Sequence, residues 1–235
     1  MSYIDGFVLA VPTANRQAFT KHASDAAPLF REFGATRIVE TWGDDVKKGE
    51  LNDLYGAVQA KDDETVVFSW IEYPDKATRD AAGAKMMSDP RMAEMGEMPF
   101  DGKRMIFAGF DPLHDVGAGG ATGYVDGVIL PVPHGAKDEY RSFCKQFGAV
   151  VRENGATRVV DGWGDDIPDG KVTDFKRAAH AADGETVVFS WIEWPSKQAR
   201  DAAWEKMMSD SRLSDNRPFD GKRMIFGGFT PVVDA

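Results

Sequence analysis

Four residues able to do chemistry recur at matched places along the chain: Asp5 with Asp126, Arg37 with Arg158, Trp70 with Trp191 and Glu72 with Glu193. A carboxylate, a guanidinium and an indole brought together can hold a small molecule that carries both a polar group and an aromatic ring. The guanidinium takes an anion through two parallel hydrogen bonds, the carboxylate accepts a donor, and the indole offers a flat apolar wall. The same set can also be wholly structural. A carboxylate inside an aromatic strand is expensive to bury unless a cation meets it, so Asp5 and Glu72 are expected to meet Arg37 or Arg104. Strand alternation places Asp5 on the face of Phe7 and Glu72 on the face of Trp70, whereas Arg37 and Trp42 fall on opposite faces of their strand. Spacing leaves open whether the set lines a ligand cavity or locks the fold together.

Other chemistries lack residues. None of His22, His114, His134 and His180 meets a histidine in the other copy: Phe143 stands opposite His22, Thr13 opposite His134 and Gln59 opposite His180, while His114 falls between the copies. A duplicated metal or acid–base site would keep its ligand twice, and no metal-type Cys/His spacing is present, so neither a metal nor another cofactor is expected. Cys144, opposite Ala23 on a helical stripe, reads as a small buried apolar residue. No Gly-x-Gly-x-x-Gly or Gly-Lys-Ser loop offers a phosphate cradle. Asp44-Asp45 and Asp165-Asp166 read as solvated turn residues, and Met86 to Met98 as packing. No catalytic residue, and no reaction, is named by these patterns.

The matched residues belong to a tandem duplication. Tyr3-Ile4-Asp5-Gly6 returns as Tyr124-Val125-Asp126-Gly127 and Gly34-Ala35-Thr36-Arg37 as Gly155-Ala156-Thr157-Arg158, a displacement of 121 residues (Tyr3 to Tyr124). It drops to 119 at Phe100-Asp101-Gly102-Lys103 against Phe219-Asp220-Gly221-Lys222, so the length change lies just before that motif. A period this long means two whole domains rather than solenoid repeats. Residues 1–113 and 122–235 are expected to be the two units and residues 114–121 a glycine-rich linker. A net charge of −10 opposes nucleic acid as a partner, because that interaction needs Lys and Arg to displace counterions. With charged residues at 28%, no apolar run reaches the length of a membrane helix, so no membrane partner is expected. A single cysteine and the lack of a leader pattern suit the cytoplasm.

Within one unit, Tyr3 to Val11 has the aromatic and β-branched content of a strand closed by Pro12, and Phe19, Ala23, Ala26, Phe30 and Phe33 mark the apolar stripe of a helix ended by Gly34. Ala35 to Trp42 predicts a second strand, and a weaker extended piece is expected over Leu54 to Gln59. Thr65 to Tyr73 is almost unbroken apolar sequence, as in a strand buried on both faces at the centre of a sheet. Pro74, then Thr78, Ala82 and Met86, predict a second helix, and Lys103 to Phe110 a last strand. The order β-α-β-β-α-β predicts an α+β, ferredoxin-like unit with both helices on one sheet face. The other face must be covered. A flexible tether holds the equivalent face at roughly millimolar effective concentration, so the two halves are expected to pair within one chain; higher assembly stays open.

The motifs Tyr3-Ile4-Asp5-Gly6-Phe7, Val67-Phe68-Ser69-Trp70-Ile71-Glu72-Tyr73-Pro74, Lys85-Met86-Met87-Ser88-Asp89-Pro90-Arg91-Met92 and Pro99-Phe100-Asp101-Gly102-Lys103-Arg104-Met105 resemble the bacterial YbaA-like domain of unknown function, DUF family 1428. The resemblance covers both copies. It implies the dimeric α+β-barrel superfamily, in which two ferredoxin-like units pair their open faces and whose members include cofactor-independent monooxygenases, isomerases, haem-degrading enzymes and stress proteins. The function so implied is small-molecule binding or cofactor-independent catalysis, with a non-catalytic, stress-related or structural protein as the alternative. Asp5, Arg37, Trp70, Glu72, Asp126, Arg158, Trp191 and Glu193 are the candidate ligand-binding residues.

Overall fold

The computed structural model describes residues 2–119, 122–213 and 217–235. In the first half, strand β1 (Tyr3–Pro12) leads into helix α1 (Arg16–Glu32), β2 (Arg37–Val46), a one-turn α2 (Leu54–Ala57), β3 (Glu64–Tyr73), α3 (Lys76–Ser88), a short α4 (Pro90–Glu94) and β4 (Ile106–Val116). The second half repeats this as β5 (Tyr124–Pro133), α5 (Lys137–Glu153), β6 (Arg158–Asp166), α6 (Phe175–Ala178), β7 (Glu185–Trp194), α7 (Lys197–Met207) and β8 (Ile225–Asp234). Gly34 and Gly155 stop α1 and α5 in the left-handed region, at φ +114° and +107°, where a side chain would be strained.

All eight strands close into one barrel in the order β1-β3-β2-β8-β5-β7-β6-β4. Each half supplies four antiparallel strands, with β3 and β7 central as their unbroken apolar sequences require. The halves join along two seams: β2 runs beside β8, from Val39 opposite Asp234 to Val46 opposite Gly227, and β4 beside β6, from Gly109 opposite Asp166 to Val116 opposite Val159. The barrel interior is a shared core. Val8, Phe68, Trp70 and Phe110 of one half pack with Ile129, Phe189, Trp191 and Phe229 of the other. Phe68 and Phe189 stack at 4.2 Å and 5°, and Trp70 and Trp191 at 4.4 Å and 27°. The long helices lie outside, Phe19 of α1 over Leu9, Trp42 and Val67, and Tyr140 of α5 over Leu130, Trp163 and Val188.

Three local expectations are corrected. Leu54 to Gln59 is not extended: α2 and α6 are helical turns, and Leu54, Ala57, Phe175 and Ala178 join the barrel core. Residues 114–116 belong to β4 and not to the linker, because pairing with β6 carries that strand to Val116; residues 120 and 121 of the linker lie outside the described residues. The acidic pairs are not free turn residues. Asp44 accepts from Tyr124 Oη at 2.9 Å and meets Lys197, Asp165 accepts from Tyr3 Oη at 2.9 Å and meets Lys76, and Asp45 and Asp166 meet Arg200 at 3.0 Å and Arg79 at 2.7 Å. Every one of these bonds crosses between the halves.

Candidate functional site

Six of the eight residues singled out by their chemistry come together, and they do so across the halves. Arg37 Nη1 and Nη2 donate to Glu193 at 2.7 and 3.1 Å, and Arg158 Nη1 and Nη2 donate to Glu72 at 2.7 and 2.8 Å. The pairing of Glu72 with Arg37 expected within one copy is only a longer contact, at 3.7 Å. Each guanidinium has a second carboxylate, Arg37 at Asp234 and Arg158 at Asp115, and each buried glutamate takes an indole N–H, Trp70 to Glu72 at 3.1 Å and Trp191 to Glu193 at 3.0 Å. Thr122 adds a bond to Glu193 at 2.7 Å. Glu193 is fully buried, which alone would raise its pKa, yet the Arg37 guanidinium holds it below the usual carboxylate range. The partners of these groups are one another, and Trp70 and Trp191 are wholly enclosed.

Asp5 and Asp126 do not join this set. They lie on the opposite face of the sheet, under α3 and α7. Asp5 meets Arg79 at 2.7 Å rather than Arg37, and Asp126 meets Arg200 at 2.8 Å. Arg104, the other expected partner, serves Glu64 at 2.6 and 2.7 Å.

In the second half the space between the sheet and α5 and α7 is a cavity of about 420 Å³. Phe143, Phe147, Trp204 and Phe219 give it aromatic walls, and Val128, Leu130 and Ile192 an aliphatic floor. Two hydrogen-bonded polar groups of the sheet reach it. One is the Asp126–Arg200 pair; the other is Asp161, whose Oδ1 accepts from Ser190 Oγ at 2.8 Å while Oδ2 lies 3.1 Å from His114 Nδ1. His114 arrives on β4 of the first half, so both halves build this wall, and Asp45 and Lys47 of the first half also line the cavity. Burial raises the pKa of Tyr140 and of Cys144 beside Asp161, keeping both in their neutral forms, and Cys144 is the small buried residue its position implied. The matching place in the first half carries Glu40 bonded to Ser69, with Val233 where His114 would be. Burial lifts Glu40 to about 7, against only the Ser69 hydroxyl.

Sequence reasoning missed Arg79 and Arg200, Ser69 and Ser190, Asp161 and His114. The first four were detectable, since each pair is identical in the two copies. His114 was not: its counterpart is Val233 and not a histidine, and only the seam between β4 and β6 brings it to Asp161.

Among the described residues no group of three or more His, Cys, Asp or Glu side chains is placed to hold a metal ion. A cavity with apolar walls and a few polar contacts at its sides can enclose a small, mostly apolar molecule and fix its orientation through one or two hydrogen bonds.

Comparisons with known proteins agree with this architecture. The structure is similar to that of an anthrone oxidase-like protein, with a TM-score of 0.56 at 13% identity over 100% of this chain and 92% of that one. A candidate monooxygenase from Lactobacillus acidophilus NCFM matches at 0.55 and 12%, over 100% and 95%, and another from Fusobacterium nucleatum at 0.56 and 8%, over 99% and 93%. At such identities the likeness is one of fold, the dimeric α+β barrel. In sequence, the uncharacterized protein YbaA of Escherichia coli K12 is 60% identical over 116 residues, which are 49% of this chain and 99% of that protein, and YbaA of Shigella flexneri matches equally. The model of the family described as protein of unknown function DUF1428 matches residues 2–102 and again residues 123–221, and with both halves so covered the chain belongs to that family.

Proposed function

We propose that this protein binds a small aromatic molecule in the cavity of its second half, and that the crossed arginine–glutamate–tryptophan set holds the barrel shut. The carrying observation is the 420 Å³ space between β5, β6, β7 and the helices α5 and α7, of a size for two or three fused rings, lined mostly by apolar side chains with the Asp126–Arg200 and Asp161–Ser190 pairs among its polar contacts. A phenol or a ring ketone fits that pattern: its rings face Phe143, Phe147 and Trp204, and its oxygen meets Ser190 or Arg200. The two candidate monooxygenases and the anthrone oxidase-like protein support a substrate of this class and its oxidation by molecular oxygen. In such a reaction Asp161, positioned by His114, would receive the phenolic proton.

The structural assignment of the seam is supported by its saturation. Arg37, Glu72, Arg158 and Glu193 spend their hydrogen bonds on each other, on Asp234, Asp115 and Thr122 and on the two indoles, and Trp70 and Trp191 fill the space a ligand would need.

The test is a thermal-shift screen of hydroxylated naphthalenes and anthrones against the wild type and Val128→Phe. Val128 lines the cavity, and its counterpart Phe7 carries the larger ring. Ligands should raise the wild-type Tm and lose that effect in V128F, and Asp161→Asn should abolish oxygen uptake while binding survives. No stabilising compound, or equal stabilisation of V128F, would defeat this reading.

A further inference from the structure

The two copies differ at one buried carboxylate in a way that points to a ligand. In the second half Asp126 is satisfied from three sides: Arg200 donates at 2.8 Å, Trp194 Nε1 at 3.0 Å and Trp204 Nε1 at 2.9 Å. Asp5 occupies the same register in the first half and is equally buried, at 6% against 5%. It keeps its arginine, Arg79, at 2.7 Å, but both indoles are gone: Tyr73 stands in place of Trp194 and Gly83 in place of Trp204.

What replaces them is incomplete. Tyr73 is fully buried and its hydroxyl has no hydrogen-bond partner, although buried polar groups nearly always find one. Gly83 offers room, for a Cβ built there would have nothing within 4 Å. Phe147, whose ring packs 6.4 Å from that of Trp204, is the smaller Ala26 in the first half. Short of donors, Asp5 is pushed by burial up to about 6 despite Arg79.

We infer that the first half binds a planar aromatic molecule with an N–H or O–H donor, of the size of an indole, in the slot beside Gly83. There it takes the place of the missing Trp204 side chain. Its donor serves Asp5, its ring lies over Ala26, and the Tyr73 hydroxyl donates to the face of that ring, since indole carries no lone-pair acceptor. The second half supplies the template, since the same carboxylate, arginine and sheet already hold an indole in that position. This slot is separate from the second-half cavity, which contains Trp204 as one wall.

Indole itself is the probe, titrated calorimetrically into the full chain. Wild type should bind it, and 1-methylindole, which cannot donate, should bind far more weakly. Gly83→Trp should raise the Tm and abolish binding. Tyr73→Phe removes the orphaned hydroxyl, so it should stabilise the free protein and weaken indole roughly twofold to fivefold, the loss of one weak bond to the ring face. Trp204→Gly should do the reverse in the other half, lowering the Tm, which indole then restores, and raising the stoichiometry from one to two. Val128→Phe narrows the second-half cavity and should leave the indole titration unchanged. The inference is overturned if wild type binds no indole, if 1-methylindole binds equally, if G83W still binds, or if V128F removes the signal.

Discussion

At the scale of single residues, Glu40 and Asp161 show how one position has drifted between the halves. Asp161 has Ser190 and His114 at its two oxygens, whereas Glu40 has only Ser69, and burial lifts Glu40 from 4.5 to about 7. A carboxyl whose folded pKa lies above its unfolded one keeps its proton in the folded state over that window, so stability declines as pH rises from about 4.5 to 7 and stays reduced above it. Asp5 adds the same sign of dependence up to about pH 6. Glu40→Gln, which keeps an acceptor for Ser69, is expected to stabilise the protein by about 2 kcal/mol at pH 8 and to have no effect at pH 4. Urea unfolding at the two pH values checks this; an equal effect at both would mean the carboxyl is not the cause. Neither value was readable from sequence. Both depend on which cations fail to arrive, and the chain carries Asp5, Arg79 and Glu40 far apart. The agreement of the copies did expose Arg37, Trp70 and Glu72 as a set, but not that each copy completes the other's.

Among the elements, strands and long helices were legible because their burial is one-sided or complete over many residues. β3 and α1 declare themselves by runs and stripes that no short motif imitates. The one-turn helices did not. Leu54 to Gln59 is an apolar and aromatic run of strand length, and its helical form is set by a single cap: Asp53 accepts from Gly56 N at 2.6 Å and from Gly49 N at 3.0 Å. Asp174 does the same for α6, with Arg177 N at 2.8 Å and Gly170 N at 3.2 Å. Both turns place core side chains into the barrel, so losing a cap acts on more than one backbone bond. Asp174→Ala is expected to cost about 1–2 kcal/mol, the upper range for an N-cap, measured as a lower urea midpoint with an unchanged slope. The end of β4 was misjudged for a different reason. Its partner strand β6 belongs to the other half, and glycine-rich composition after Asp115 reads as a tether when that pairing is unseen.

For the whole molecule, the seams make each half depend on the other. Separation would expose the edges of β2, β8, β4 and β6, uncover Trp70 and Trp191, and strand Glu72 and Glu193 without their bidentate arginines. Residues 122–235 alone still carry one arginine and one glutamate of the crossed type, and so can satisfy the pattern by pairing with a second copy. Light scattering of that fragment should give twice the fragment mass, in keeping with relatives that are a single half in length; a stable monomer would contradict the crossed design. No helix among the described residues is long and apolar enough to cross a membrane. The Trp70–Trp191 stack has one more consequence. Two indoles 4.4 Å apart and inclined by 27° share their electronic excitation, so the closed barrel should carry a paired positive and negative band in its ultraviolet circular dichroism. Trp70→Phe should erase the couplet while the remaining tryptophans still absorb, which gives the protein a built-in optical gauge of whether its halves are joined.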